Sequence, residues 1–115
     1  MSSDCIFCRI VAGEIPATIV YQDDQVTAFK DIQPQATVHI LVIPNQHVAS
    51  LNEADRLDPA LLGRVLQAAA TVAREAGIAE SGYRLVTNTG PDSGQTVHHL
   101  HFHVLGGNPL RLPLG

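Results

Sequence analysis

The stretch His98-His99-Leu100-His101-Phe102-His103-Val104-Leu105 contains four of the six histidines of this chain. From its second residue onward, histidine alternates with apolar residues. Side chains on a β-strand point to opposite faces in turn, so the pattern predicts a strand with three imidazoles on one face, at steps of roughly 6.6 Å: His99, His101 and His103. The apolar residues between them then face the core. His98 falls on the opposite face, as a structural or interfacial residue, and we expect the chemistry to lie on the triad face.

Three interpretations of the triple histidine compete at this point. The first is an exposed strand face whose histidines share no role. The second is a metal site, because His-x-His on a strand can chelate zinc, as in three-histidine zinc enzymes. The third is nucleophilic catalysis at phosphorus, in which an imidazole with a pKa of about 6.5 attacks as the free base and a covalent intermediate divides one difficult step into two. Strict alternation with bulky apolar residues disfavours the first interpretation.

Length and composition indicate one globular domain, residues 1–115, because 115 residues supply one core but not two. The formal net charge is −4 and lysine and arginine do not cluster, which excludes a duplex-sized nucleic-acid surface. No apolar run approaches membrane-spanning length, and the N-terminus lacks the pattern of a signal peptide. We therefore expect a cytoplasmic protein without a membrane or nucleic-acid partner. Disulfides are rare there, so Cys5-x-x-Cys8 is expected to be a metal or redox pair.

Hydrophobic periodicity and turn signals predict an α+β domain, in which one long helix packs against a mostly antiparallel five-stranded sheet and a short helix opens the chain. The long helix is the best marked element: Asp58 is a typical N-cap, Pro59 follows at the first helical position, and Gly77 ends it. Its apolar face is expected to comprise Leu61, Leu62, Val65, Leu66, Ala69, Val72, Ala73 and Ala76. The other elements are predicted at 5–12 (helix), Ile19–Tyr21, Val26–Lys30, Thr37–Ile43, Tyr83–Asn88 and the histidine strand, which runs to Gly107.

The histidine stretch and an ordered series of further segments resemble the histidine triad (HIT) superfamily. The likeness covers nearly the whole chain. The segments that resemble the Hint branch in particular are Asp4–Ile10, Glu14–Ala17, Phe29–Pro34, His39–Pro44, His47 and Gly94–Gly107. The resemblance implies a HIT-like fold. It also implies a hydrolase of purine nucleoside 5′-phosphoramidates, of the AMP-NH₂ or AMP-lysine type, that releases AMP through a nucleotidyl-histidine intermediate.

Carried over by position, the catalytic groups of the family fall on four residues. The resemblance implies that His101 is the nucleophile on the α-phosphorus. It implies that His103 and His39 hold phosphate oxygens, a role in which fixed donors meet developing charge. Thr96 occupies the position where the family commonly has serine near the leaving group; its hydroxyl can still donate a hydrogen bond, and its added methyl group bears on leaving-group tolerance.

The resemblance also implies a nucleoside pocket. Asp31 would accept both hydroxyls of the ribose, with Ile32 beside it; from the residues alone, a turn-forming aspartate near a proline is the alternative. Asn88 and the backbone of Gly94, Gln95 and Thr96 resemble the family's contacts on the phosphate side. The base-binding wall would consist of residues that otherwise pass as core: Ile6, Phe7, Ile10, Phe29 and Leu41.

Two cysteines fall short of a closed zinc site, which needs four ligands. Zinc-containing HIT relatives and the related hexose-1-phosphate uridylyltransferases imply that His47 and His99 complete the set with Cys5 and Cys8, and that the Zn²⁺ is structural. The alternative is a reduced cysteine pair without metal, since some Hint proteins lack both cysteines. The glycine-rich stretch Gly90–Gly94 is not a P-loop, and no organic cofactor is expected.

Other functions remain open at this level. Within the superfamily, the Fhit branch suggests dinucleoside polyphosphate hydrolysis, whereas transferases carry glutamine at the position of His103. A nucleotide-binding or scaffold protein without catalysis is the third possibility. The family is typically homodimeric, with the long helix at the interface, so its alanines, Ala69, Ala73 and Ala76, are expected to lie partly between subunits. The tail Leu110–Gly115 lacks the tryptophan found near the end of eukaryotic Hint proteins, which bears on leaving-group preference.

Overall fold

Five strands form one antiparallel sheet in the order β1-β2-β3-β5-β4. The computed structural model describes residues 4–111. The strands are β1 (Ile19–Gln22), β2 (Val26–Lys30), β3 (Val38–Pro44), β4 (Tyr83–Val86) and β5 (Phe102–Gly106), and the helices are α1 (Ile6–Val11) and α2 (Pro59–Glu75). Short 3₁₀ turns lie at Leu51–Arg56 and Pro91–Ser93. The expected α+β architecture, with five strands, one main helix and a short N-terminal helix, is confirmed.

The main core lies between α2 and one face of the sheet. The side chain of Asp58 caps α2 by accepting a hydrogen bond from the backbone N–H of Ala60 at 2.8 Å, as the sequence predicts. The buried helix residues are Leu61, Val65, Ala68, Ala69, Val72 and Ala73. The expected apolar face is therefore too wide: Leu66 is 45% exposed, and Ala76, which caps the C-terminal end of the helix, is exposed as well.

A second, smaller core lies on the opposite face of the sheet, under α1. It contains Phe7, Ile10, Phe29, Leu41 and Ile43. β3 is buried on both faces, since Ile40 and Val42 belong to the main core while Leu41 and Ile43 belong to the second. This explains why its sequence is an almost continuous apolar run.

The histidine strand is shorter than predicted at its start. β5 begins at Phe102, which pairs with Val42 of β3, so His99 and His101 precede the first ladder pair. The extended chain nevertheless keeps the expected alternation, because Leu100 and Phe102 lie in the main core on the other side from the imidazoles. β4 likewise ends at Val86 rather than Asn88. The hydroxyl of Thr87 donates to the carbonyl of His101 at 2.7 Å, a side-chain bond in place of ladder pairing.

Two expectations concern residues at the chain ends and the membrane. Met1–Ser3 and the greater part of the expected tail, residues 112–115, lie outside the described residues. Within residues 4–111, no helix combines the length and apolar character needed to cross a membrane.

Candidate active site and metal centre

The ring of His101 is fixed by its own neighbour in the chain. Its Nδ1 lies 2.6 Å from the backbone carbonyl oxygen of His99. A carbonyl oxygen only accepts hydrogen bonds, so Nδ1 carries the hydrogen and Nε2 keeps its lone pair. Burial lowers the pKa of His101 below its ordinary value, although the bond to His99 and the carboxylate of Asp31 oppose this. At neutral pH the imidazole is therefore uncharged, with a free nucleophilic nitrogen.

His39 and His103 form a second ordered pair of imidazoles. The backbone N–H of Gln35 donates to Nδ1 of His39 at 3.0 Å, so the hydrogen of this neutral ring is on Nε2. That nitrogen lies 2.9 Å from Nδ1 of His103 and donates to it. His103 therefore carries its own hydrogen on Nε2. Burial, together with His101 and His39, lowers the pKa of His103 to about 4, so at neutral pH His103 is an uncharged hydrogen-bond donor.

This geometry bears on the role expected for His39. The side chain is buried, and both of its ring nitrogens are engaged by the protein, one by Gln35 and the other by His103. Direct contact with phosphate oxygens would require breaking one of these bonds. His39 donates to His103 and so orients its ring. Of this pair, His103 lines the cavity that lies between these histidines and the second core.

Asp31, His39 and His103 also lie close enough for a metal ion by distance alone. The bond from Gln35 argues against that use. A neutral imidazole has one lone pair, and that of His39 already accepts the Gln35 N–H at Nδ1. Its Nε2, which faces the carboxylate of Asp31 at 3.4 Å and His103 at 2.9 Å, is a donor and not a ligand. The arrangement is a hydrogen-bonded pair, His39 and His103, with the carboxylate of Asp31 beside it.

A cavity of about 390 Å³ joins these histidines to the second core. Its volume suits a small ligand. Most of the residues expected at the site line it: Ile6, Phe7, Ile10, Phe29, Asp31, Ile32, Leu41, Thr96, His101 and His103. A larger cavity of about 580 Å³ is lined near the C-terminal end of α2 by Val72, Glu75 and Ala76 and touches neither His101 nor His103, so volume alone does not identify the site.

The cavity has an apolar wall and a polar edge. Phe7 packs edge-on against Phe29, with ring centroids 5.2 Å apart, and the two rings form the wall. Asp31 lies at the polar edge. Its Oδ1 accepts the backbone N–H of Gln33 at 2.8 Å, so the turn-forming interpretation of this residue is correct for one oxygen. The second oxygen faces His39, and the cavity is available to a ligand beside it.

Three expected contacts on the phosphate side do not line this cavity: Asn88, Gly94 and Gln95. The side chain of Gln95 accepts from the N–H of Gly90 at 2.9 Å and donates to the carbonyls of Ala49 and Val97, so it braces the loop that leads to Thr96. The cavity is also lined by residues for which no site role was expected from the sequence: Ile15, Pro16, Ala17, Lys30, Gln33 and Val97. The apolar run Ile15-Pro16-Ala17 after the short helix was the available signal for the first three.

Cys5, Cys8, His47 and His99 converge on one point, with their ligand atoms all within 4.8 Å of one another. The two Nδ1 atoms are 3.2 Å apart, and the sulfur–nitrogen distances are 3.3 Å (Cys8–His47), 3.4 Å (Cys5–His99) and 3.6 Å (Cys8–His99). Tetrahedral zinc with usual bond lengths has edges of about 3.3 Å between nitrogens and about 3.5 Å between nitrogen and sulfur. The cluster therefore has the dimensions of a closed Cys₂His₂ site and could hold a metal ion.

The chemistry of the donors agrees with these dimensions. Nε2 of His99 donates to the carbonyl of Pro44 at 2.8 Å, which directs the lone pair of Nδ1 into the cluster, as the outer-shell bond of a metal-binding histidine does. Burial lowers the pKa of His99 to about 4, so its ring is neutral. Burial, with the neighbouring thiol of Cys5, raises the pKa of Cys8 to about 11. Two thiolates so close together need a cation between them, and a bound metal ion deprotonates such thiols.

Fold, histidine arrangement and sequence comparison define the class of protein. The HIT domain family matches residues 12–110, and the chain belongs to this family. A HIT-like protein of Synechococcus elongatus is 55% identical over 115 residues, which cover all of both chains. The purine nucleoside phosphoramidase of Escherichia coli K12 is 51% identical over 110 residues, 96% of this chain and 92% of the other. A HIT family hydrolase of Legionella pneumophila superposes with a TM-score of 0.93 at 46% identity, covering 97% of this chain and all of the other.

Proposed function

We propose that this protein hydrolyses purine nucleoside 5′-phosphoramidates, of the AMP-NH₂ or AMP-lysine type, to AMP and an amine. The observation that carries the proposal is the bond from His101 Nδ1 to the His99 carbonyl, which leaves Nε2 free at a cavity that also contains Asp31 and an aromatic wall. The E. coli relative at 51% identity is named a purine nucleoside phosphoramidase, which supports a substrate with a purine base and cleavage of its P–N bond.

In the first step, Nε2 of His101 attacks the α-phosphorus. A bond forms between Nε2 and phosphorus, the P–N bond to the amine breaks, and the amine leaves with a proton taken up at the solvent side, which Thr96 borders. Nε2–H of His103 donates to a non-bridging oxygen, where charge accumulates, and His39 keeps His103 in the tautomer that can do so. Asp31 holds the ribose and the aromatic wall holds the base.

In the second step, water attacks phosphorus from the side the amine has left. The bond between phosphorus and Nε2 breaks, a proton of the attacking water passes to the solvent, AMP is released and His101 recovers its lone pair. Nδ1 keeps its hydrogen in both steps, because the carbonyl of His99 accepts it and also stabilises the positive charge on the nucleotidylated ring. The protein thus needs no additional base to restore the nucleophile.

We also propose that the metal of the Cys5–Cys8–His47–His99 cluster is Zn²⁺ in a structural role. Four protein ligands leave no open position for a substrate, and two cysteines with two histidines are a donor set typical of structural zinc. Bound zinc would neutralise the paired thiolates and join the N-terminal segment to the chain just before β5.

We further propose a homodimer formed along the β4 edge of the sheet. β4 is a terminal strand, with only β5 beside it, and an exposed edge strand is a template for pairing. On β4 itself, Tyr83 is 39% exposed and Leu85 is 38% exposed, so apolar area is available at this edge. Of the three alanines expected partly at the interface, Ala69 and Ala73 are buried in the main core of the same chain, whereas Ala76 is exposed.

The assay for the proposed reaction compares two substrates. The protein is incubated with adenosine 5′-phosphoramidate and, separately, with a diadenosine polyphosphate, and AMP release is followed by chromatography. We expect rapid release from the phosphoramidate and little from the dinucleotide. Faster release from the dinucleotide would replace this function with polyphosphate hydrolysis, and release from neither would make the protein a nucleotide-binding module.

A further inference from the structure

We propose that the metal cluster, Cys5, Cys8, His47 and His99, positions His101, so that metal occupancy controls the rate at the active site. The proposal rests on the proposed function, because it assigns the nucleophile to His101. Two separate contacts join the cluster to the ring of His101: one runs through the main chain of His99, and the other through the side chain of Phe7.

The first contact runs through His99, whose ring belongs to the cluster and whose backbone carbonyl holds His101. The ring of His99 is fully buried, donates to the Pro44 carbonyl and presents Nδ1 to the cluster, while its own carbonyl oxygen holds Nδ1 of His101 at 2.6 Å. Sheet pairing does not hold this part of the chain, because the ladder begins at Phe102. Two hydrogen bonds hold the main chain here: the N–H of Leu100 donates to the carbonyl of Val48 at 2.8 Å, and the carbonyl of His101 accepts the hydroxyl of Thr87 at 2.7 Å. The position of the His99 carbonyl therefore depends on these two bonds and on how firmly the ring of His99 is held.

The second contact uses the short helix α1, which Cys5 caps and which contains Cys8. Phe7 lies between Cys5 and Cys8 in sequence, and its ring meets His101 edge-on at 5.1 Å and His99 at 6.0 Å. α1 has only six residues, too few to be stable without external anchors. Its anchors are the second core and the two cysteine side chains in the cluster. Loss of the cluster would thus free the ring that packs against the proposed nucleophile.

A bound cation allows the four ligand atoms of the cluster to lie as close together as they do. Two sulfurs and two nitrogens lie within 4.8 Å of one another, and the Nδ1 atoms and the three short sulfur–nitrogen pairs are 3.2 to 3.6 Å apart. With a metal between them the four attractions hold α1 against the segment before β5. Without the metal ion, few hydrogens are available to be shared among these four ligand atoms, and the side chains separate. A displacement of the nucleophile by a fraction of an ångström to 1 Å costs about tenfold to a hundredfold in rate.

The test compares wild-type protein loaded with zinc, the same protein after chelation, and Cys8→Ser, whose side chain does not line the nucleotide cavity. We expect chelation or Cys8→Ser to lower kcat for adenosine phosphoramidate about tenfold or more, with a smaller rise in KM. The proton NMR signal of His101 Nδ1–H should be sharp with zinc and lost to exchange without it. Added zinc should restore wild type but not Cys8→Ser. Arg9→Gln, on the exposed side of the same helix, is the matched control and should behave as wild type.

A second variant separates positioning from folding. Phe7→Leu keeps all four ligands, so it should bind zinc, keep the fold and still lower kcat several-fold. Chelated wild type with native circular dichroism, unchanged kcat and an unchanged His101 signal would overturn the proposal, as would a protein that binds no zinc. If wild type releases no AMP, the proposed function fails separately, and the coupling is then decided by whether the His101 signal responds to zinc.

Discussion

At the scale of single residues, three backbone groups determine what the buried imidazoles can do. The His99 carbonyl frees Nε2 of His101, the Pro44 carbonyl turns Nδ1 of His99 into the metal cluster, and the Gln35 N–H makes His39 a donor to His103. The four imidazoles of His39, His99, His101 and His103 are all neutral, and these bonds alone give them different functions. The same bonds leave Nε2–H of His103, one of the two residues expected to hold phosphate oxygens, free to donate to a ligand, whereas His39 already donates to His103.

Asp31→Asn tests the residue assigned to the ribose. An asparagine Oδ1 can still accept the Gln33 N–H, so the turn should survive, whereas the charge that holds two ribose hydroxyls is lost. We expect AMP to bind about tenfold more weakly, the equivalent of one lost hydrogen bond to a charged group. Calorimetric titration with AMP and with 2′-deoxy-AMP should show that the preference for AMP narrows in the variant. An unchanged preference would remove Asp31 from the ribose site.

The alternation of the triad could be predicted from the sequence, but the tautomers could not. Period-two alternation places His99, His101 and His103 on one side whether or not the chain is paired in a sheet. The direction of each lone pair depends on which backbone group the ring meets in the folded chain, whether distant in sequence, as Pro44 is for His99, or near, as His99 is for His101. The separation of His99 from the other two follows from Cys5 and Cys8, which only the folded chain brings next to it.

At the scale of elements, the β1–β2 turn is held to α2 through one carboxylate. Oδ1 of Asp23 accepts the N–H groups of Gln25 and Val26, each at 2.8 Å. Oδ2 accepts the hydroxyl of Tyr21 at 2.6 Å and the guanidinium of Arg64 on α2. The hydroxyl of Tyr21 and these other donors lower the pKa of Asp23 to about 2, so the charged form stabilises the fold.

Asp23→Asn should therefore destabilise the protein in a pH-dependent way. The folded pKa lies below the ordinary 3.8, so the stabilisation is complete above that value and disappears as the pH falls through about 2. At pH 7 we expect the free energy of unfolding to fall by about 1–2 kcal/mol. Urea unfolding at several pH values should show the difference shrinking between pH 5 and pH 2. Asp24→Asn, at the exposed neighbour, is the control; an Asp23 effect that does not vary with pH would contradict this account.

Element boundaries were predicted best where a local signal exists. Asp58-Pro59 starts α2 and Gly77 follows its end, and β2 was predicted with its observed bounds. The 3₁₀ turn Leu51–Arg56 was missed, although Ser50 and Glu53 have the spacing of a capping box; Glu53 accepts the N–H of Ala49 at 2.7 Å. The ends of β4 and β5 depend on pairing partners elsewhere in the chain, which no local pattern specifies.

At the scale of the whole molecule, the sheet is asymmetric. One face packs against α2 and forms the main core, while the other supports α1, the cavity and the metal cluster. Because β3 and β5 are neighbours, His39 and His103 approach across the strands, and the loops at the β3 end bring His47 to the cluster. Sequence patterning predicts the elements of this arrangement, and resemblance to a family was needed to predict the partners of the cysteines.

Leu85→Lys tests the proposed dimer. Leu85 is 38% exposed on the edge strand, and a lysine there would place a charge in an apolar contact. We expect wild type to sediment as a dimer and Leu85→Lys as a monomer in analytical ultracentrifugation. Leu51→Lys changes a leucine of similar exposure, 41%, away from β4 and should stay dimeric. A wild-type monomer, or a dimer that tolerates the Leu85 change, would rule out this interface.

The most direct test of the central claim is chemical capture of the intermediate on His101. Protein in excess over adenosine phosphoramidate is quenched in alkali, in which a phosphorus–nitrogen bond to histidine survives, and its peptides are examined by mass spectrometry. We predict one AMP moiety on the peptide that contains His101, at the ring of that residue. His101→Ala should show no adduct and no AMP release while binding AMP within a few-fold of wild type, and His98→Ala should react normally. An adduct on another residue, or full turnover by His101→Ala, would contradict the account.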